Sequence, residues 1–483
     1  MATHTVLNQP PPLEDLDLYD FDPVLPRFVD REGGGAHDPL LRGYGRNIGT
    51  ARAFRWGHDA NRYPPVLHTH DRYGNRIDQV EFHPSWHSLM ELAVSHRVHS
   101  LPWVSDEGGF VARAAMMMMM AEVEAGHSCP ISMTTSVVPA LRHAPELAAE
   151  WEPRLTSPIY DPRFLPAEKK DGALMGMGMT EKQGGSDVRA NTTTAQPLGD
   201  GWYRIVGHKW FMSAPMCDAF LILAQAPEGL SCFFLPRFLP DGAVNEIRIQ
   251  RLKDKLGNRS NASSEVEFEG ALAYPVGELG RGVPTIIEMV NGTRLDCISG
   301  SVGLMRAAVM QAAHHCAHRS AFGGLLIDKP AMQMVLADLE VETQAATVLM
   351  TRVAGAFDRA GGDPTEELIK RILTPVAKYW VTMRCTPVVR EAMECLGGNG
   401  YVEESPLPRL FRESPLNAIW EGSGNVIALD VVRVLAKEPA ALKALQEELE
   451  GFRGRDGRLD TYLDETWQLV SSPENAEALA RRL

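Results

Sequence analysis

What this chain lacks narrows its possibilities first. Its seven cysteines, at 129, 217, 232, 297, 316, 385 and 395, never form close pairs, so neither a zinc site nor a disulfide scaffold is expected and a reducing compartment fits them best. No run of about 18 uninterrupted apolar residues occurs, and the opening MATHTVLNQPPPLEDLDLYDFDP has neither a basic n-region nor an apolar h-region. Membrane spanning and secretion are therefore not expected, which leaves a cytoplasmic location. A basic excess is missing too: 48 Lys and Arg stand against 62 Asp and Glu, a formal net charge of −14. That balance disfavours a general binder of nucleic acid or membrane surfaces, although a local basic patch stays open. No G-x-S-x-G elbow or nucleophilic cysteine signature appears, which removes the hydrolase readings.

What is present suggests several units. A chain of 483 residues with 44% hydrophobic content can bury a large core, and two to four structural units are expected. Residues 1–170 read as a proline-rich leader and an N-terminal helical domain, clearest in SWHSLMELAVSHRVHS and FVARAAMMMMMAEVEAGH. Met116 to Met120 are apolar on every side of a helix, which predicts a buried core element. Residues 171–285 turn to period two, in GWYRIVG, HKWFMS, AFLILAQA, LSCFFLPRF, EIRIQRL and SSEVEFEGALAYPVG, with turns predicted at Asp200-Gly201 and Gly207-His208. Helical periodicity returns over 286–436 as a C-terminal bundle, and 437–483 form a partial helical extension. The fold class is α+β in the block order helices, sheet, helices.

Four stretches carry candidate chemistry. In ALMGMGMTEKQGGSD, residues 173–187, Gly176, Gly178 and Thr180 share one strand face and Met175, Met177 and Met179 the other. A bare face of this kind marks either a barrel corner or a ligand lying close against the chain. The Gln183–Asp187 turn then offers successive backbone N–H groups and a hydroxyl to an anion, without the Gly-Lys-Ser/Thr of a P-loop or the spacing of a dinucleotide fingerprint. HRSAFGGLLI and LGGNGY each end a long helix, as glycine commonly does. In NAIWEGSGNVIALDVVRVL, Glu421 stands beside a tryptophan and just before a helix N-terminus, either as a general base with an adjustable pKa or as a solvated loop carboxylate. His314 and His318 lie one turn apart beside His315 and Cys316, yet no segment supplies further ligands, and HTHD at 68–71 reads as a loop; no metal is expected.

Taken together, GMTEKQGGSD, GHKWFMS, RSAFGGLLI, EAMECLGGNGY and IWEGSGN resemble the acyl-CoA dehydrogenase family over nearly the whole chain. TEKQGGSDVRANTT, LKDKLGNRSNAS and PLPRLFRESPLNAIWEGSGN look most similar to its AidB branch, adaptive-response flavoproteins linked to alkylation damage. The resemblance implies FAD and a homotetramer. It implies that Met179 and Thr180 approach the isoalloxazine, that Gly185 and Ser186 reach the pyrophosphate, and that Phe211 and Met212 lie along the ring with Ser213 near N5. Ile419, Trp420, Gly422, Ser423, Gly424 and Asn425 also match cofactor-binding positions. Arg319, Phe322, Gly397, Gly398 and Gly400 match positions that hold the adenine-diphosphate half from a neighbouring subunit.

Glu421 matches the family's catalytic base, and Thr293 occupies the position where some relatives carry that base instead. The implied reaction is α,β-dehydrogenation of a short or branched acyl-CoA, with electron-transfer flavoprotein or another acceptor reoxidising the flavin. Lys182, Gln183, Pro330 and Asn425 depart from the common dehydrogenase pattern. The AidB branch adds an alternative, a flavoprotein that binds double-stranded DNA and protects it, with weak dehydrogenase activity. The extension to which DNA binding is attributed is expected to be incomplete here, ending in a helix capped at Ser472, Pro473 and Glu474.

Overall fold

Period-two alternation governs the middle of the chain, and there the computed structural model, which describes residues 3–470 and residue 481, forms one seven-stranded sheet. A separate hairpin, β1 (Val66–His70) with β2 (Arg76–Glu81), precedes it. The sheet comprises β3 (Met175–Gly178), β4 (Thr194–Gly199), β5 (Trp202–Ser213), β6 (Ala219–Ala226), β7 (Gly229–Pro236), β8 (Ile247–Leu252) and β9 (Ser263–Val276). Its order is β3-β6-β4-β5-β9-β7, and β6 also pairs with β7, so five strands close into a ring with β3 added beside β6 and β8 beside β9. Closure removes edges that would otherwise be exposed.

Two local expectations are corrected. Gly207-His208 is not a turn: β5 runs unbroken through it, with a register shift between Ile205 and Val206. Gly207 has φ +149°, and a Cβ there would lie 2.5 Å from Thr193 Oγ1, so the glycine permits a bulge and a close strand crossing rather than a reversal. The Asp200-Gly201 turn forms as predicted, both residues at positive φ. HTHD is largely strand, His68 and His70 lying in β1. The bare face of β3 is also filled from within: a Cβ on Gly176 would meet the Phe220 ring at 2.8 Å, and one on Gly178 would meet Lys209 Cγ at 3.2 Å and Met212 Sδ at 3.4 Å. Barrel packing therefore accounts for both glycines.

The helices before and after the sheet share a core. The helix Gly109–Val123 buries Met116 to Met120 completely, as expected, against the 37-residue helix Gly282–His318. Helices Pro330–Arg359 and Pro364–Cys395 pack on the same long helix. Asp358, near the end of helix Pro330–Arg359, caps the helix Gly109–Val123, accepting from Phe110 N at 2.8 Å and Val111 N at 2.9 Å. Arg113 of that helix also forms a buried ion pair with Asp296 of the helix Gly282–His318. A second core joins the sheet to the helices Ser128–Leu141 and Pro145–Leu155. Beyond residue 437 come helices Pro439–Glu450 and Gly457–Val470; the helix expected from Ser472, Pro473 and Glu474 lies outside the described residues. Among the described residues no helix is long and apolar enough to cross a membrane.

Candidate active site

A buried ion pair fixes the turn after β3. Lys209 Nζ donates to Glu181 Oε1 at 2.9 Å and to the Leu223 carbonyl at 2.8 Å. Thr192 donates to Glu181 Oε2 through its backbone N–H at 2.7 Å and its hydroxyl at 3.0 Å. Burial alone would raise the Glu181 carboxyl, but Lys209 and these donors outweigh it and hold the group below the usual carboxylate range. Anchored so, the turn presents its neighbours. Trp210 N donates to the Thr180 carbonyl at 2.8 Å, and Asn191 Nδ2 to the Met179 carbonyl at 2.9 Å. Gly185 comes so close to Thr180 that a Cβ would stand 2.4 Å from its hydroxyl oxygen. Gly184, at φ +139°, faces open space, and Ser186 is exposed.

From the end of β5, Phe211 presents a half-exposed ring while Met212 is buried. The Ser213 hydroxyl lies 3.4 Å from that of Ser263. Lys255 Nζ stands behind this pair, donating to Ser263 Oγ at 2.9 Å and to the Asn261 carbonyl at 2.6 Å. Burial lowers Lys255 to about 8. It also raises the Cys129 thiol to about 11, against the opposing contacts of Ser213, Lys255 and Asn261.

Glu421 is no solvated loop carboxylate. It sits in the left-handed region at φ +56°, an uncommon conformation for a non-glycine residue, and its peptide neighbours are tied down. Lys378 Nζ donates to the Trp420 carbonyl at 3.0 Å and the Gly422 carbonyl at 2.5 Å, and Arg294 Nε to the Glu421 carbonyl at 3.2 Å. Thr293 Oγ1 donates to Glu421 Oε2 at 2.7 Å and has the Val290 carbonyl 3.0 Å away as a second acceptor. Burial raises the Glu421 pKa above its ordinary value, moderated by the Thr293 donor and by Arg294 and Lys378. Trp420 packs against the sheet core, its Nε1 donating to Asn417 Oδ1 at 2.8 Å, while Ile419 is largely exposed. Gly422 takes φ +102°, and Ser423, Gly424 and Asn425 begin the helix Gly424–Lys437, whose first N–H groups receive no bond from the Ser423 side chain.

The remaining expected residues lie elsewhere. Arg319 follows the helix Gly282–His318, and at a rise of about 1.5 Å per residue roughly 39 Å of helix separates it from Thr293. Phe322 is 95% exposed on the small hairpin β10 (Ser320–Ala321) and β11 (Gly324–Leu325). Gly397 and Gly398 open onto free space, whereas a Cβ on Gly400 would meet the Met393 carbonyl at 2.2 Å. Trp420, Met179 and Met212 share the sheet core, and Ser213 and Glu421 both bear on the Cys129 thiol, whereas Arg319, Phe322 and Gly397–Gly400 form a second, distant group. Among the described residues no group of three His, Cys, Asp or Glu could hold a metal ion.

Sequence reasoning did not single out Glu181, Lys255, Arg294 or Lys378. Lys209 alone left a readable trace, as a charged residue within the strand HKWFMS. The residues expected to hold FAD suit it chemically: an exposed aromatic ring at Phe211, a glycine turn at 184–186, and a helix N-terminus at 423–425 uncapped by the Ser423 side chain that favours negative charge.

Residues 8–162 match the adaptive response protein AidB N-terminal domain. Residues 176–271 match the acyl-CoA dehydrogenase middle domain and 280–436 the acyl-CoA dehydrogenase C-terminal domain. The chain is 49% identical to AidB of Escherichia coli (strain K12) over 484 residues, covering 100% of this chain and 89% of that one. It is 31% identical to acyl-CoA dehydrogenase family member 11 of Caenorhabditis elegans over 440 residues, 88% of this chain and 71% of that one. The crystal structure of Caenorhabditis elegans ACDH-11 in complex with C11-CoA superposes with a TM-score of 0.90 at 28% identity, covering 99% of this chain and 87% of that one.

Proposed function

The chain belongs to the acyl-CoA dehydrogenase family, in its AidB branch, and is an FAD-dependent oxidoreductase; on that premise we propose that Glu421 is the base that takes the α-proton of an acyl-CoA. The observation that carries the reading is the Glu421 carboxylate, held by Thr293 on a strained backbone between the Lys378 and Arg294 anchors. FAD held by the Met179–Ser213 and Ile419–Asn425 residues would supply the acceptor for the β-hydrogen as hydride.

The chain's own residues do the rest. Glu421 receives the α-proton on a carboxylate that burial makes more basic than usual. A thioester α-hydrogen is still far too weak an acid for a carboxylate, so its carbonyl must be polarised, and the family resemblance assigns part of that to the Glu421 N–H. Lys378 and Arg294 fix the peptides on either side of Glu421, so this donor needs no reorganisation as charge develops. Trp420 and the sheet core close one side of the site against water. Thr180 and Ser213 supply hydroxyls, and Phe211 an apolar face, to the flavin ring.

Arg319, Phe322, Gly397, Gly398 and Gly400 serve the adenine end of FAD in a second subunit. The support is distance: about 39 Å of helix exceeds the reach of an extended FAD from the Glu421 site. A homotetramer and an external electron acceptor such as electron-transfer flavoprotein belong to the same reading. Anaerobic titration with straight and branched acyl-CoA thioesters of about four to twelve carbons tests it, a span of about eight CH₂ groups each worth about 0.8 kcal/mol when buried. Flavin bleaching with short or branched members, and its loss by several orders of magnitude in Glu421→Gln with flavin retained, is the expected result. Undiminished bleaching in the variant would overturn the assignment.

A further inference from the structure

The N-terminal leader lies on the second, distant group of residues, and it does so through side chains. Asn8 Nδ2 donates to the Ser320 carbonyl at 2.8 Å, and Ser320 N donates to Asn8 Oδ1 at 2.7 Å, so one side-chain amide pairs with β10 as another strand would. Arg319 Nη1 donates to the Asn8 carbonyl at 2.5 Å. Farther along, Asn399 Nδ2 donates to Gln9 Oε1 at 3.3 Å, and His314 Nε2 donates to the Pro11 carbonyl at 2.8 Å. Three leader residues, Asn8, Gln9 and Pro11, therefore touch the end of one long helix, the Arg319 hairpin and the Gly397–Gly400 turn that ends another.

This arrangement is built rather than incidental packing. Asn8 takes φ +59°, a left-handed conformation that asparagine tolerates better than other side-chain-bearing residues. The prolines that follow, 10 to 12, restrict the backbone and reduce the entropy lost in laying the segment down. Neighbouring Val6 and Leu7 are more than 70% exposed, so apolar burial does not hold the leader here; its hydrogen bonds do. Only one nitrogen of the Arg319 guanidinium is engaged by Asn8, which leaves further N–H groups for an anion.

We propose that leader residues 8–11 clamp the adenylate-binding surface, with Asn8 a positioning residue that holds Arg319 and ties the hairpin to the Gly397–Gly400 turn. The inference rests on the reading that Arg319 serves the pyrophosphate and adenine end of FAD in a second subunit. A guanidinium already held at one nitrogen loses less freedom when it meets a phosphate, so the clamp acts as preorganisation. Removing it lowers FAD affinity without removing any group that touches FAD.

Asn8→Gly is the cleaner variant: glycine keeps the positive φ and the backbone carbonyl that Arg319 meets, and deletes only the side-chain amide whose two bonds to Ser320 hold that carbonyl in place. FAD affinity is measured on the full chain by the fluorescence of released flavin, with ADP as a competitor, for wild type, Asn8→Gly, Arg319→Ala and the double variant. The thermal midpoint is followed against added FAD. Losing two exposed hydrogen bonds should weaken FAD roughly tenfold and weaken ADP competition in parallel. Asn8→Asp, which keeps the acceptor for Ser320 N, should fall between wild type and Asn8→Gly. If Asn8 acts through Arg319, the double variant is no weaker than Arg319→Ala alone. A merely structural leader would lower the midpoint equally at every FAD concentration and leave ADP competition unchanged, and that result overturns the clamp. If Arg319→Ala weakens FAD while Asn8→Gly does not, the clamp alone fails; if Arg319→Ala leaves FAD binding intact, the adenylate reading fails with it.

Discussion

Replacing Thr293 by valine keeps the shape of the side chain and removes the donor to Glu421, so it isolates one hydrogen bond at the proposed base. In the ionised state Thr293 Oγ1 donates to Oε2 at 2.7 Å. A hydrogen bond to a charged group contributes about 1.5–3 kcal/mol, and one pKa unit corresponds to about 1.36 kcal/mol, so full loss would raise the Glu421 pKa by about one to two units. The hydroxyl has an alternative, however. The Val290 carbonyl at 3.0 Å can accept its proton, freeing the oxygen to accept from a protonated Glu421. Thr293 therefore supports both protonation states, and the differential effect shrinks to about one unit or less.

The sign is fixed by the chemistry. Glu421 works as the carboxylate, so the rate of thioester-dependent flavin bleaching falls as pH drops through its pKa, which burial already raises and which Arg294 and Lys378 lower and Asp296 raises. Losing Thr293 as a donor moves that acidic limb to higher pH. Anaerobic stopped-flow bleaching across pH in wild type, Thr293→Val and Thr293→Ser reads it directly. The limb should move up by about half to one unit in Thr293→Val and stay near wild type in Thr293→Ser. An acidic limb that stays put or moves down in Thr293→Val refutes the reasoning.

Glu181→Gln strands the Lys209 ammonium in the sheet core and should cost about 3–5 kcal/mol, read as a lowered thermal midpoint, with much of the loss recovered on adding Lys209→Met. Because the Glu181 carboxyl is held down to about 2, its contribution is present above the unfolded value near 4.5 and is lost as pH falls towards 2, so the stability of wild type should fall with acid over that range by an amount that Glu181→Gln does not show. Arg319→Ala should loosen FAD and the oligomer together, since a ligand bound only by the assembled state stabilises that state; sedimentation with and without added FAD checks it. Duplex DNA should bind weakly with a shallow salt slope. Residues 437–483 carry seven Lys or Arg against ten Asp or Glu, and the fold already pairs Arg453 with Glu450 and Asp464 and Arg458 with Asp456. A steep log–log slope, at about −0.9 per phosphate neutralised, would refute that expectation.

Much of the architecture was legible because periodicity reports burial. The five methionines could only be a buried helix, and the strand segments from Trp202 to Val276 each appear close to where alternation predicts them. Glycine was the less faithful guide, because a bare position says that something approaches and not what. At Gly176 and Gly178 the visitor is Phe220, Lys209 and Met212 from the barrel itself. At Gly207 it is Thr193, and a predicted turn becomes a bulge in a continuous strand.

The order of motifs, the family they resemble and the identity of Glu421 as the candidate base were written in the chain, because each depends on local residue types in a fixed succession. Tertiary structure alone decided the surroundings that give those residues their properties. Thr293 lies 128 positions from Glu421 and Lys378 more than forty, yet they hold its carboxylate and its peptide neighbours. Asn8 reaches Ser320 across 312 positions. Hydrogen bonds and burial depend on distance in space, and a sequence records only distance along the chain.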